Sequence, residues 1–220
     1  MQTFKTSKSK ENILARIRKE LNKKALPVPY PELDKRQQEQ IYAKSALSNE
    51  ERFAESFIQL GGKFVFCANK TELLESLVTL HENRGWQKML CADEELLTTI
   101  RNNNLDIAMA ANDNPEDADA CITGCELLVA RTGSVILSSR AHMGRTSSVF
   151  YPVHIIVAYT GQVVPDIAQA IDTMKKKYGS NLPSMINLNT GPSRTADIEK
   201  TLVVGVHGPG EVFCFLVNDI

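Results

Sequence analysis

From residue 63 onward, short apolar runs alternate with helical stretches, and this alternation constrains the fold more than any other feature of the chain. Residues 63–68 (KFVFCA) read as a strand. Residues 71–83 follow, with Leu73, Leu74, Leu77 and Leu80 at helical spacing. Residues 88–92 and 94–102 repeat the strand–helix pair, and 105–110 add a third strand. Strands joined by helices of about ten residues form βαβ units and a parallel sheet. Their right-handed crossovers should bring helices to both faces.

The second half leaves that pattern. Residues 120–123, 127–130, 134–138 and 153–158 are strand-like, with few helical residues between them. A helix over 165–178 opens with Pro165, where a missing N–H does no harm. Residues 184–189 read as a strand, and 202–206 with 211–218 flank His207-Gly208-Pro209-Gly210 as a β-hairpin. Hairpins are antiparallel, so the expected fold is a three-layer α/β/α domain over 61–220 with a mixed, mostly parallel sheet.

The first 60 residues read as an N-terminal helical extension rather than core. Ile13, Leu14, Ile17 and Leu21 give an amphipathic helix over 9–24. Pro27, Pro29 and Pro31 then stiffen a linker over 26–31. A second helix over 49–60 carries Phe53, Phe57 and Leu60 on one face and stops at Gly61-Gly62.

Composition excludes several classes. Lys plus Arg (25) nearly equals Asp plus Glu (26), so no overall field draws nucleic acid or an anionic membrane. No apolar run approaches the ~20 residues that cross a bilayer. Residues 1–10 are polar and basic, unlike a secretory signal. The five cysteines show no framework spacing, and four of them sit in apolar runs, which points to a reduced, cytoplasmic protein. Cys121 and Cys125 alone cannot make a zinc or iron–sulfur site, so neither metal nor cofactor is expected in this chain. Nucleotide-loop glycine patterns are missing too.

The richest chemical segment is 190–199 (TGPSRTADIE), directly after a strand, where open α/β sheets gather ligands. Gly191 allows a tight turn, Ser193 and Thr195 offer hydroxyls, and Arg194 a planar fork of donors, a set suited to carboxylate or phosphate. Asp197 and Glu199 are candidates for proton transfer or for orienting Arg194. The competing reading is a turn whose hydroxyls cap local backbone, with Arg194 paired to Asp197. His207, beside Gly208, is a candidate for moving protons if it lies near Ser193 and Arg194, and is otherwise a solvated turn histidine. Thr132, Gly133 and Ser134 form a second strand–turn donor set. The loop 138–148 holds Ser138, Ser139, Arg140, His142, Arg145, Ser147 and Ser148; it reads as a rim over an anion or as ordinary solvent-exposed chain.

Residues 190–199 followed by 202–209 (LVVGVHGP) resemble the signature of the LUD domain in the LutC/YkgG, or lactate-utilization protein C, family. Ile122-Thr123-Gly124, 130–137 (ARTGSVIL), 152–156 (PVHII) and Val164-Pro165 agree with it, so the resemblance runs from about residue 63 to the C-terminus. It implies a three-layer α/β fold related to the NagB/RpiA/CoA-transferase-like group. It further implies an accessory role in oxidising L-lactate to pyruvate beside iron–sulfur subunits A and B, which would carry the electrons. The family often has an acidic residue before the Thr-Gly, where this chain has Arg131, and Phe150-Tyr151 replaces a more usual leucine pair before proline. Two other functions stay open: a stand-alone enzyme on a phosphorylated or acyl/CoA substrate, by analogy of fold, and a structural interaction module docking through helix 9–24. Whether the chain itself catalyses is not fixed by the sequence.

Overall fold

A computed structural model describes residues 8–22, 45–110, 118–141, 146, 149–198 and 201–219, without the side chains of 9, 196–198, 201 and 202. The chain divides into two compact units, Met1–Lys44 and Ser45–Ile220. The first unit contributes helix α1 (Lys8–Leu21), on which Ile13, Leu14, Ile17 and Leu21 are all exposed. The expected proline linker, 26–31, lies outside the described residues.

The second unit opens with α2 (Asn49–Gln59), started by a reciprocal cap. Ser48 Oγ accepts the Glu51 N–H at 3.2 Å, and Glu51 Oε2 accepts the Ser48 N–H at 2.9 Å. Two donors that a helix start leaves orphaned are thereby satisfied. Strand β1 (Lys63–Cys67), helix α3 (Lys70–Arg84), strand β2 (Met89–Cys91), helix α4 (Glu94–Asn102) and strand β3 (Ala108–Ala110) follow as the alternation predicts. Asn69 and Asp93 cap α3 and α4 through their side chains, and Gly85, at φ 61°, ends α3.

Strands β4 (Ala120–Thr123), β7 (Val153–Tyr159) and β12 (Glu211–Val217) complete a six-stranded sheet in the order β1-β12-β7-β4-β2-β3. Every pairing in it is parallel. The antiparallel pairs expected within one mixed sheet sit elsewhere. Strands β5 (Leu127–Val129), β6 (Ser134–Ser138), β8 (Val163–Val164) and β9 (Ile186–Asn189) form a separate four-stranded sheet, and β10 (Arg194–Ile198) pairs with β11 (Thr201–Val204).

The predicted hairpin of 202–206 with 211–218 is therefore corrected. β11 turns back on β10, whereas β12 runs between β1 and β7. The reason is readable in the residues: EVFCFLV is apolar on both faces, and six of its seven residues are buried. A strand buried on both sides belongs inside a parallel sheet.

Side-chain alternation divides the core. Phe213, Phe215 and Val217 join Val153, Ile155 and Val157 beneath Leu73, Leu77, Leu96 and Ile100 of α3 and α4. Val212, Cys214 and Leu216 face the other way, with Ile156, toward Phe53 and Phe57 of α2 and toward Leu128, Val135 and Leu137 of the small sheet. The outer side of that sheet is closed by Ala170 and Met174 of α5 (Ile167–Tyr178). One face of the parallel sheet thus carries a helical layer. The opposite layer is shared by α2 and the second sheet, so α2, expected as part of an extension, is core: Phe53 and Phe57 are both 0% exposed.

A buried carboxylate ties α5 to the small sheet. Glu126 is 6% exposed. Its Oε1 accepts Ser138 Oγ at 2.6 Å and the Tyr178 hydroxyl at 2.7 Å, and its Oε2 accepts Lys177 Nζ at 2.7 Å. Burial pushes its pKa up, but the hydrogen bonds from Lys177, Ser138 and Tyr178 outweigh it and hold the carboxyl below its ordinary value. A depressed carboxyl stabilises the fold above the unfolded glutamate pKa of about 4.3 and loses that contribution as the pH falls through the folded value. Glu126→Gln is expected to cost about 1–3 kcal/mol at neutral pH. The difference in urea midpoint between wild type and variant should close as the pH drops below about 4; a constant gap would show that the carboxylate charge is not its source.

Candidate functional site

The segment after β9 is threaded against three neighbours. Thr190 Oγ1 lies 2.9 Å from Ser134 Oγ. Gly191 takes φ +76°, and a Cβ there would come within 2.9 Å of the Leu60 carbonyl oxygen. Arg194 Nη2 donates to that same carbonyl. Leu60 is the C-cap of α2, where helix carbonyls lack intrahelical partners and the dipole is negative, so a guanidinium fits by charge and by hydrogen bonding. Part of Arg194's fork is therefore spent on backbone, while the residue stays exposed.

Ser193 ties the segment to the turn before β12. Its N–H donates to the Pro209 carbonyl at 2.9 Å and its carbonyl accepts the Gly205 N–H at 3.0 Å. A Cβ on Gly208 would lie 3.2 Å from Ser193 Cβ. The same turn is fixed to Pro152, whose carbonyl accepts the Gly210 N–H at 2.9 Å. Between them runs an open groove lined by Val149, Phe150, Tyr151, Gly205, Val206 and His207. His207 is exposed on its wall.

The 130–134 turn contacts the segment from the other side. Ala130–Thr132 is one turn of 3₁₀ helix closed by Gly133 at φ +57°. A Cβ on Gly133 would stand 2.5 Å from Phe57 N and 2.6 Å from the Ser56 carbonyl carbon, so α2 lies directly on this turn. Thr132 Oγ1 is buried and meets no hydrogen-bond partner among the described residues. Arg131 forms a two-pronged pair with Asp166, Nε to Oδ2 at 2.8 Å and Nη2 to Oδ1 at 2.7 Å. Chiefly the Arg131 hydrogen bond holds the Asp166 carboxyl below its ordinary value, against burial. Asp166 also caps α5 through Oδ1 and the Ile167 N–H. Arg131 is thus engaged in holding α5 to the small sheet.

The structure brings Gly191, Ser193, Arg194 and Gly208 together and links them to Ser134 through Thr190. Thr195 continues into β10, opposite Val203. Glu199, Arg145 and His142 lie outside the described residues, as do the side chain of Asp197 and residues 147 and 148. At the start of the 138–148 loop the hydroxyls are already committed: Ser138 to buried Glu126, and Ser139 to Ser184 at 3.1 Å.

Sequence reading missed a second concavity. A cavity of about 120 Å³ lies among residues at the carboxyl ends of β7, β4 and β2 and the first turns of α3 and α4. Lys70, Leu73, Leu74, Asp93, Leu96 and Tyr159 line it, along with Glu95, Val157 and Cys125. The available signal was positional: Asn69-Lys70 and Asp93 follow parallel strands immediately, where α/β ligands collect.

A family model for the LUD domain matches residues 8–217. The chain belongs to the LUD domain family. Lactate utilization protein C of Bacillus velezensis is 42% identical over 106 residues, 47% of this chain and 44% of that protein. The Bacillus subtilis protein of the same name is 41% identical over the same length. This LUD chain therefore matches less than half the length of these relatives. Lactate utilization protein C 1 of Bacillus mycoides is 32% identical over 166 residues, covering 68% of the chain and 71% of the relative. A crystal structure of a DUF162 family protein from Deinococcus radiodurans shares the fold, with a TM-score of 0.55 at 21% identity, covering 78% of this LUD chain and 99% of that one. No described helix is long and apolar enough to cross a membrane.

Proposed function

We propose that this chain serves L-lactate utilization as an accessory cytoplasmic component, assisting the oxidation of L-lactate to pyruvate beside iron–sulfur partner subunits A and B. The observation that carries the reading is the relatedness to several proteins named lactate utilization protein C, at 42% identity over 106 residues in one case. On this reading the chain binds a small anion where Gly191, Ser193, Arg194 and Gly208 converge, with His207 at the edge. The exposed guanidinium supports it, because one donor to Leu60 leaves others of the fork to take a carboxylate. Thr132 Oγ1, buried and unpartnered among the described residues, is a further donor close to the same loop.

The test is genetic and biochemical together. Deleting the gene in its host should abolish growth on L-lactate as sole carbon source, and the wild-type copy should restore it. The tagged chain should retain two iron–sulfur proteins on purification. Normal growth of the deletion strain on L-lactate would sink the reading. In calorimetry with L-lactate, Arg194→Ala should weaken binding roughly tenfold or more, as loss of a charge-assisted hydrogen bond worth about 1.5–3 kcal/mol requires. Binding by both proteins alike would move the anion site away from this loop.

A further inference from the structure

The small sheet ends on an unguarded strand. Its order, β8-β5-β6-β9, leaves β9 at one edge, and among the described residues β6 is the only strand paired with it. The Ser139 N–H donates to the Met185 carbonyl at 3.0 Å, so Met185 turns its backbone toward β6. Along an antiparallel strand successive residues turn their backbone groups to alternate sides. Asn187 and Asn189 therefore bond to β6, and the N–H and C=O groups of Ile186 and Leu188 point outward. The side chains of these two are 43% and 40% exposed. They stand opposite Ser138 and Ile136, on the face that carries α5 but beyond its cover.

Native sheets protect such an edge with charged residues, prolines in the strand, bulges or a covering element. β9 carries none of these. No charged residue occurs anywhere in 179–193, and Pro183 and Pro192 flank the strand rather than enter it. Its register with β6 is regular over all four residues.

That neutrality also selects the occupant. A foreign strand would find no charge here to select it, whereas an uncharged antiparallel edge accepts its own copy, because two-fold pairing brings like residues together without like-charge repulsion. With the axis at Asn187, Ile186 of one copy faces Leu188 of the other, and Leu188 faces Ile186. Both positions present outward backbone groups, so each facing pair exchanges two hydrogen bonds. Four exposed aliphatic side chains meet on one face, and the two Asn187 side chains face each other on the opposite one. The pairing consumes both edges, so the assembly closes at two copies instead of growing.

We propose that this chain forms a two-fold dimer through β9, joining two four-stranded sheets into one of eight strands. The dimer does not rest on the lactate reading, since neither Ser193 nor Arg194 takes part in the pairing.

Sedimentation equilibrium of the full chain is expected to give twice the monomer mass at about 50 µM and to fall toward monomer on dilution. Leu188→Lys places an ammonium in the paired edge, the device natural edge strands use, and should raise the dimer Kd roughly tenfold or more. Ile58→Lys, at a 55% exposed aliphatic side chain on α2, should leave it unchanged. Circular dichroism and the melting temperature show that both lysine variants remain folded. Asn187→Cys tests the register without adding charge. Across a non-hydrogen-bonded pair on the axis the Cα atoms lie about 4.5 Å apart, within the span of a disulfide. Oxidation should convert this variant to a covalent dimer on a non-reducing gel, whereas the wild-type chain, whose five cysteines are all buried, should run as a monomer there. A wild-type chain that is monomeric at about 50 µM overturns the proposal and leaves the edge to a foreign strand. A dimer that tolerates Leu188→Lys, or in which Asn187→Cys fails to cross-link, uses another surface and overturns it too.

Discussion

A chain beginning at residue 45 is expected to fold and unfold cooperatively, while one beginning at residue 61 should not reach a packed native state. The difference is α2. Phe53 and Phe57 stack at 5.4 Å between ring centres and are wholly buried against Val212, Cys214, Leu216 and the inner face of the small sheet. Losing one such phenylalanine to a cavity costs about 3–5 kcal/mol, and losing both approaches the 5–15 kcal/mol that stabilises a whole domain. Removal of the helix also uncovers the Gly133 turn and takes away the Leu60 carbonyl to which Arg194 donates. Near-ultraviolet circular dichroism and urea unfolding check it: the shorter chain should show no fixed aromatic signal and no sharp transition. A chain of 61–220 that unfolds at the same midpoint as 45–220 would falsify the placement of α2 in the core.

The sequence reading placed that helix correctly and misjudged its job. Phe53 and Phe57 on one face and a glycine stop are local signals, and they located Asn49–Gln59 to within a residue. What the helix packs on is set by strands more than 70 residues away, and periodicity carries no information about that. The same limit explains β12. Its apolar run was recognised as a strand, but the four-residue His-Gly-Pro-Gly stretch suggested a local hairpin. The actual partners, β1 and β7, lie far off in sequence and were invisible to turn chemistry. The βαβ half was legible because its alternation of short strands and helices is a local pattern.

The candidate loop was legible in composition and less so in role. Ser193 is tied to the turn before β12, while Arg194 reaches the end of α2. The contact of Arg194 with Leu60 could not be read, because a backbone carbonyl leaves no mark in side-chain patterns. The strand-end cavity was overlooked because its polar residues also do local work: Asp93 caps α4.

Gly133→Ala should destabilise the domain by about 2–4 kcal/mol, lowering Tm by roughly 5–15 °C for a chain of this size. Two costs add. At φ +57° alanine is strained by about 1 kcal/mol or somewhat more. Its Cβ would then sit 2.5 Å from Phe57 N and 2.9 Å from Phe57 Cα, backbone atoms of a helix that cannot rotate aside as a side chain could. Gly85→Ala isolates the first cost, since Gly85 has φ +61° and nothing within 4 Å of its would-be Cβ. The difference between the two variants in thermal or urea unfolding therefore measures the steric contact alone. Equal losses would mean that α2 does not rest on the 130–134 turn. A large excess for Gly133 would mean that the turn joining β5 to β6 accepts only glycine because a helix backbone occupies the space where a side chain begins.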